Sequence, residues 1–101
     1  MIWKGALTTS LVTIAVGKVI VDVLERHGFK SVLTVLCGDG PDIGAAMVKD
    51  PRIPLLSFTG STHVGRSISA DVARRFGRTI LELGGNNATI VMPDADLNLA
   101  F

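Results

Sequence analysis

Apolar positions along this chain follow two alternating rhythms: short continuous runs of strand composition, and longer stretches in which apolar residues recur every three or four positions. Met1 to Lys4 reads as the tail of a strand. Thr8 or Thr9 can cap a helix that runs to His27, and Gly28 supplies its C-terminal stop. Lys18, Asp22, Glu25 and Arg26 line up as one polar stripe on that helix and leave it a wide apolar face. Ser31 to Cys37 is a continuous apolar run, as in a strand covered on both faces. Gly38-Asp39-Gly40 turns the chain, and Pro41 suits the first position of a helix. That helix holds Ile43, Ala46 and Met47 on one side and stops before Pro51. Leu55 to Thr59 is a third strand. Ser61 caps the next helix, in which Val64, Ile68 and Val72 repeat every four residues on a buried face. Arg74 and Arg75 complement the dipole in its last turn, and Gly77 ends it. Thr79 to Leu83 is a fourth strand, Gly84 to Asn87 a tight turn, and Ala88 to Met92 a further strand. Asp94 then caps a helix reaching Phe101.

Strands alternating with helices predict an α/β fold, a Rossmann-like parallel sheet with flanking helices and right-handed crossovers. The first strand has no lead-in and the last helix has no C-cap, so the chain is expected to be part of something longer. Its 101 residues suffice for one small domain, and 48% hydrophobic with 19% charged residues is a globular composition. A net charge of +1 without any basic run gives no reason to expect nucleic acid or an acidic membrane as partner. The single cysteine, Cys37, excludes an internal disulfide and suggests a reducing, cytoplasmic setting. Cys37, His27 and His63 fall into no metal-ligand spacing. Lys4 followed by Ala6 to Gly17 imitates a signal peptide. The charges from Lys18 onward argue for an amphipathic helix instead and are expected to interrupt the apolar run before it could span a bilayer.

In an open α/β sheet, ligands bind at the carboxyl ends of the strands. Lys4, Gly38-Asp39-Gly40, Thr59-Gly60-Ser61 and Glu82 all fall at such ends. Gly60 to Ser67 follows a strand and opens a helix, where N–H groups and the helix dipole favour an anion and the Ser61 and Thr62 hydroxyls can add hydrogen bonds to a phosphate. Helix capping alone would also account for Ser61. The octapeptide misses a P-loop because Arg66 stands where a lysine is required, and no magnesium-binding Asp follows the next strand. Gly38 to Gly44 misses the dinucleotide fingerprint by one residue, and Pro41 removes a backbone donor. Glu82 sits among Ile80, Leu81 and Leu83. It is either a carboxylate made a general base by an apolar setting or a strand-end residue facing water. Gly84-Gly85 beside it allows close approach of backbone or ligand. Cys37 reads as a buried, small hydrophobe at a strand end, since neither histidine is spaced to pair with it.

Taken together, Trp3-Lys4, the turn at Gly38 to Gly44, Phe58-Thr59-Gly60-Ser61 with Val64-Gly65, Leu81-Glu82-Leu83-Gly84-Gly85 and Asp94-Ala95-Asp96-Leu97 resemble the aldehyde dehydrogenase superfamily in order and spacing over essentially the whole chain. Trp3 to Ala6, Arg75 to Arg78 and Glu82 to Asn87 look like its antiquitin-type branch, the α-aminoadipic semialdehyde dehydrogenases of lysine breakdown. The resemblance implies that residues 1–101 are a partial dinucleotide-binding domain, with 84–101 leading toward a catalytic domain. It implies NAD as cofactor, with NADP open, a small-molecule aldehyde as substrate, and a homo-oligomeric full-length protein. Lys4 would contact the adenosine ribose, Ser61 would bind the pyrophosphate, and Gly60 and Val64 would shape the groove. Glu82 would be the general base for the thiol nucleophile or the water that hydrolyses the thioester, with Leu83 and Gly84 near the nicotinamide. The family's catalytic cysteine would lie beyond Phe101 and its oxyanion-hole asparagine before Trp3, so these residues alone are expected to be inactive. Where the family often has a ribose-binding acid three residues after the lysine, this chain has Leu7. A non-catalytic nucleotide-binding or structural module is the alternative reading.

Overall fold

The structure, a computed structural model, describes residues 1–85 and 87–100. Four strands alternate with helices: β1 (Ile2–Lys4), α1 (Ser10–Arg26), β2 (Thr34–Leu36), α2 (Ala45–Lys49), β3 (Leu55–Gly60), α3 (Thr62–Arg74), β4 (Arg78–Leu83) and α4 (Leu97–Ala100). All strand pairing is parallel, as the alternation predicts. The strands form two pairs, β1 with β2 and β3 with β4, and not one continuous sheet. The first pair is only three residues long, so its ladder is short.

Helix α1 is entered through a 3-10 turn at Leu7–Thr9. Thr9 is its N-cap by position, but its hydroxyl donates back to the Ala6 carbonyl and caps nothing. The helix buries Thr13 and Gly17. A Cβ at Gly17 would collide with Val35, so this glycine sets how closely α1 lies on β2. Gly28, at φ 84°, ends the helix, with Phe29 N–H closing on the Leu24 carbonyl at 2.9 Å. The charges of α1 do not shorten its apolar run as the sequence suggests. Leu7–Arg26 is long and apolar enough, by length and composition, to cross a membrane. What ties α1 to the α/β unit is its packing on β2.

The turn after β2 begins as a π-helical turn over Gly40–Gly44, in which Gly44 N–H reaches the Asp39 carbonyl at 3.1 Å. The Asp39 side chain accepts from Asp42 N–H at 2.9 Å, and Pro41 stands at the start as predicted. The core lies between α2, α3 and the β3–β4 pair: Val48, Leu56 and Val72 are buried, with Phe58 and Ile68 packed on them. Arg75, expected to serve the dipole of α3, instead turns toward α2. Its Nε donates to the Val48 carbonyl (2.7 Å) and its Nη1 to the Ile53 carbonyl (2.6 Å), joining the end of α2 to the lead-in of β3. Beside it, Arg52 grips Asp50 and holds that carboxyl at about 2, below the ordinary 3.8.

Three further expectations differ from what forms. Phe76, at φ 59°, and not Gly77, is the left-handed residue that ends α3. Gly77 N–H then reaches back to the Val72 carbonyl at 3.0 Å. Ala88 to Met92 is apolar enough for a strand but joins no ladder among the described residues. The last helix starts after Asp96, whose carboxylate accepts from Asn98 N–H at 2.9 Å, and not at Asp94. Asn86 of the predicted turn and Phe101 of the predicted last helix lie outside the described residues.

Candidate functional site

The carboxyl ends of β3 and β4 lie side by side because the two strands pair in register from Leu55 with Arg78 to Gly60 with Leu83. That register sets Thr59 opposite Glu82. Alternation along β4 turns Leu81 and Leu83 to one face and Ile80 and Glu82 to the other. The first face meets α3: a Cβ at Gly65 would strike the Leu83 side chain. The second is open among the described residues, with Ile80 half-exposed and Glu82 exposed. Of the two settings open to Glu82, the structure gives the strand-end residue facing water.

Chain direction brings α3 back so that its first turn overhangs these strand ends. Ser61 caps it, its Oγ accepting from Val64 N–H at 3.3 Å. The Ser61 carbonyl accepts from Gly65 N–H at 2.9 Å. Thr62 and His63, also in the first turn, have no carbonyl within the helix to donate to. No acidic residue stands in that turn, so the positive end of the dipole is not neutralised there. The Thr62 hydroxyl, predicted as a phosphate donor, instead donates to the Gly84 carbonyl at 2.9 Å. Gly84 N–H in turn donates to the Gly60 carbonyl at 3.1 Å. Gly84 and Gly85 have open space where a Cβ would be. The structure therefore gathers Gly60, Ser61, Val64, Glu82, Leu83 and Gly84 at one corner.

Lys4 lies at the end of the other strand pair. Its half-buried ammonium donates to the Gly5 carbonyl (2.9 Å) and to the Gly38 carbonyl (3.0 Å) at the far end of β2. Its Cε lies against Gly44, 3.6 Å from where a Cβ there would stand, an ordinary contact distance. Cys37, expected to be buried, is instead exposed beside this end, because the chain has already left β2 at Leu36. Sequence reasoning missed two contacts, the Thr62 bond to Gly84 and the seat of Leu83 on Gly65. A hydroxyl at the first helical position and a glycine three residues on are visible signals, but their partners lie about twenty residues away and depend on the β3–β4 register.

The donor set at the corner suits a pyrophosphate: first-turn N–H groups, the Ser61 hydroxyl, no opposing carboxylate in the turn, and glycines that admit a bulky group.

Comparison with known proteins gives this geometry a context. A family model described as "Aldehyde dehydrogenase family" matches residues 1–101. Aldehyde dehydrogenase family 7 member A1 of Pisum sativum is 56% identical over 101 residues, which cover 99% of this chain and 20% of that protein. The α-aminoadipic semialdehyde dehydrogenase of Bos taurus is 55% identical over 98 residues, 97% of this chain and 18% of that one. This chain thus spans about a fifth of the length of the curated relatives it matches. Among solved structures, a betaine aldehyde dehydrogenase variant of Staphylococcus aureus in complex with NAD+ superimposes with a TM-score of 0.76 at 33% identity, over 98% of this chain and 19% of that one. The aldehyde dehydrogenase of Bartonella henselae gives 0.76 at 31%, over 97% and 20%.

Proposed function

This chain belongs to the aldehyde dehydrogenase family, and from that premise we propose that it supplies the cofactor groove and general base for NAD-linked oxidation of an aldehyde to an acid. The names of its relatives favour α-aminoadipic semialdehyde as that aldehyde. The observation that carries the reading is the shared corner: the capped first turn of α3 and the Glu82 strand end are held together by the β3–β4 register.

In this reading Ser61 and the first-turn N–H groups of α3 hold the pyrophosphate, with Gly60 and Val64 forming the adjoining wall. Lys4, pinned by two carbonyls, faces the ribose from the other strand pair. The bound nicotinamide supplies the hydride acceptor. Leu83 and Gly84 hold the backbone beside it. The Glu82 carboxylate takes a proton, from the attacking thiol or from the water that releases the acid. The attacking thiol is not assigned within these residues. Cys37, at the end of β2, is on the other strand pair from Glu82.

Glu82→Gln in the intact protein tests the base. Turnover is expected to fall at least about a hundredfold, while NAD affinity stays within about threefold, because the amide keeps the shape and loses the proton acceptor. Equal losses in turnover and NAD affinity would overturn the assignment. Unchanged turnover would favour a nucleotide-binding module without chemistry of its own.

A further inference from the structure

Among the described residues, three contacts tie the end of β3 and the start of α3 to the Glu82 strand end, all made to Leu83 and Gly84. Gly84 N–H donates to Gly60, the Gly84 carbonyl accepts from Thr62 Oγ1 at 2.9 Å, and Leu83 seats on Gly65. The first contact continues the strand ladder, and the third is packing on a glycine. Among the described residues, only the Thr62 contact joins a side chain of the helix's first turn to the backbone following Glu82. Thr62 is one residue after the cap and Gly84 two after the carboxylate.

We propose that Thr62 is a positioning residue that couples occupancy of the α3 N-terminus to the placement of Glu82. This rests on the reading of the corner given above. An anion bound at the first turn of α3 orders that turn, and the turn holds Thr62. The Thr62 hydroxyl fixes the Gly84 carbonyl, and with it the peptide plane that follows Leu83. Gly84 and Gly85 carry no side chain and have open space where one would be, so beyond the Gly84 ladder bond their backbone has no side-chain packing to hold it. Glu82, exposed on the face away from α3, has no side-chain hydrogen bond among the described residues, so its position follows from its backbone in the β4 ladder. Binding at one end of the corner is thereby passed to the base at the other, through one hydrogen bond.

Hydrogen exchange in the intact protein, followed on a peptide covering residues 80–85 with and without NAD, tests this. NAD is expected to slow exchange there about fivefold to tenfold in the unsubstituted protein, as loss of one hydrogen bond would predict in reverse. Thr62→Val and Thr62→Ala should bind NAD within about threefold of the unsubstituted protein, yet lose that slowing and reduce kcat more than they raise KM. Thr62→Ser, which keeps the hydroxyl, should restore both. Two isosterically different variants guard against misfolding of one. NAD-dependent slowing that persists in both hydroxyl-free variants would overturn the coupling alone. Failure of the unsubstituted protein to bind NAD would overturn the proposed cofactor role, and the coupling with it.

Discussion

Single residues at helix ends show most plainly what the sequence carried. Ser61 was legible as a cap because a short hydroxyl before an apolar-periodic stretch needs only local geometry, and its Oγ does accept from Val64. Gly28 was legible for the same reason. Phe76 was not. A glycine at position 77 drew the left-handed conformation one residue too far along, whereas the chain places an aromatic side chain at φ 59° with 98% of its surface exposed. A bulky residue in that region costs about 1–2 kcal/mol, and so exposed a ring gains no burial in return. Phe76→Asn, a residue that tolerates this backbone, should therefore raise stability by about 0.5–1 kcal/mol. Denaturant melts of the two proteins measure it. A loss of stability would mean that the Phe76 ring has a partner, which its exposure denies.

Elements were legible where their pattern is long and their neighbours are close in sequence. The β3–α3–β4 unit has a regular apolar repeat and short connections, and its elements form in the order read, although Val64 on the expected buried face of α3 is exposed. The run at Ala88 to Met92 has strand composition too, but a strand exists only against an edge, and composition does not say where edges are. The same holds for the joining of strand pairs into a sheet, and for the register that brings Thr59 opposite Glu82. The seat of α3 on β4 depends on one glycine. Gly65 is buried, and a Cβ there would meet the Leu83 side chain. Alanine is the better helix former by about 1 kcal/mol, so propensity alone predicts that Gly65→Ala stabilises α3. The collision predicts the reverse, since overpacking costs about 1–3 kcal/mol. The collision outweighs the propensity: Gly65→Ala should lower the unfolding midpoint, and it should weaken NAD binding by tilting the first turn away from Gly84. A midpoint that rises would show that Leu83 can move aside without cost.

At the scale of the whole molecule, dimensions decide the argument. A compact chain of this length has a radius of gyration of about 13 Å, whereas this one has 18.2 Å, with extents of 55 × 38 × 22 Å. Its accessible surface is 8090 Å², against about 5,500 Å² for a folded monomer of its mass. The excess of about 2,600 Å² is roughly three times what one partner buries in an interface of standard size. Much of it is apolar: Leu11, Val12, Val19 and Val23 stand out from α1, and Ile90, Met92 and Leu99 from the segment after β4. The buried cluster of Val48, Leu56 and Val72 is small beside that. Apolar surface of this extent does not stay in water when it can be removed. Purified alone, these 101 residues are therefore expected to bind a hydrophobic dye and to sediment as oligomers, with the oligomer fraction rising with concentration. Replacing Leu11, Val19 and Val23 together by Gln or Lys, on a helix whose buried positions are Thr13 and Gly17, should shift the population toward monomer without loss of helical signal. A dye-silent monomer with a radius near 13 Å would instead mean that the two strand pairs close on one another in solution and bury this surface internally.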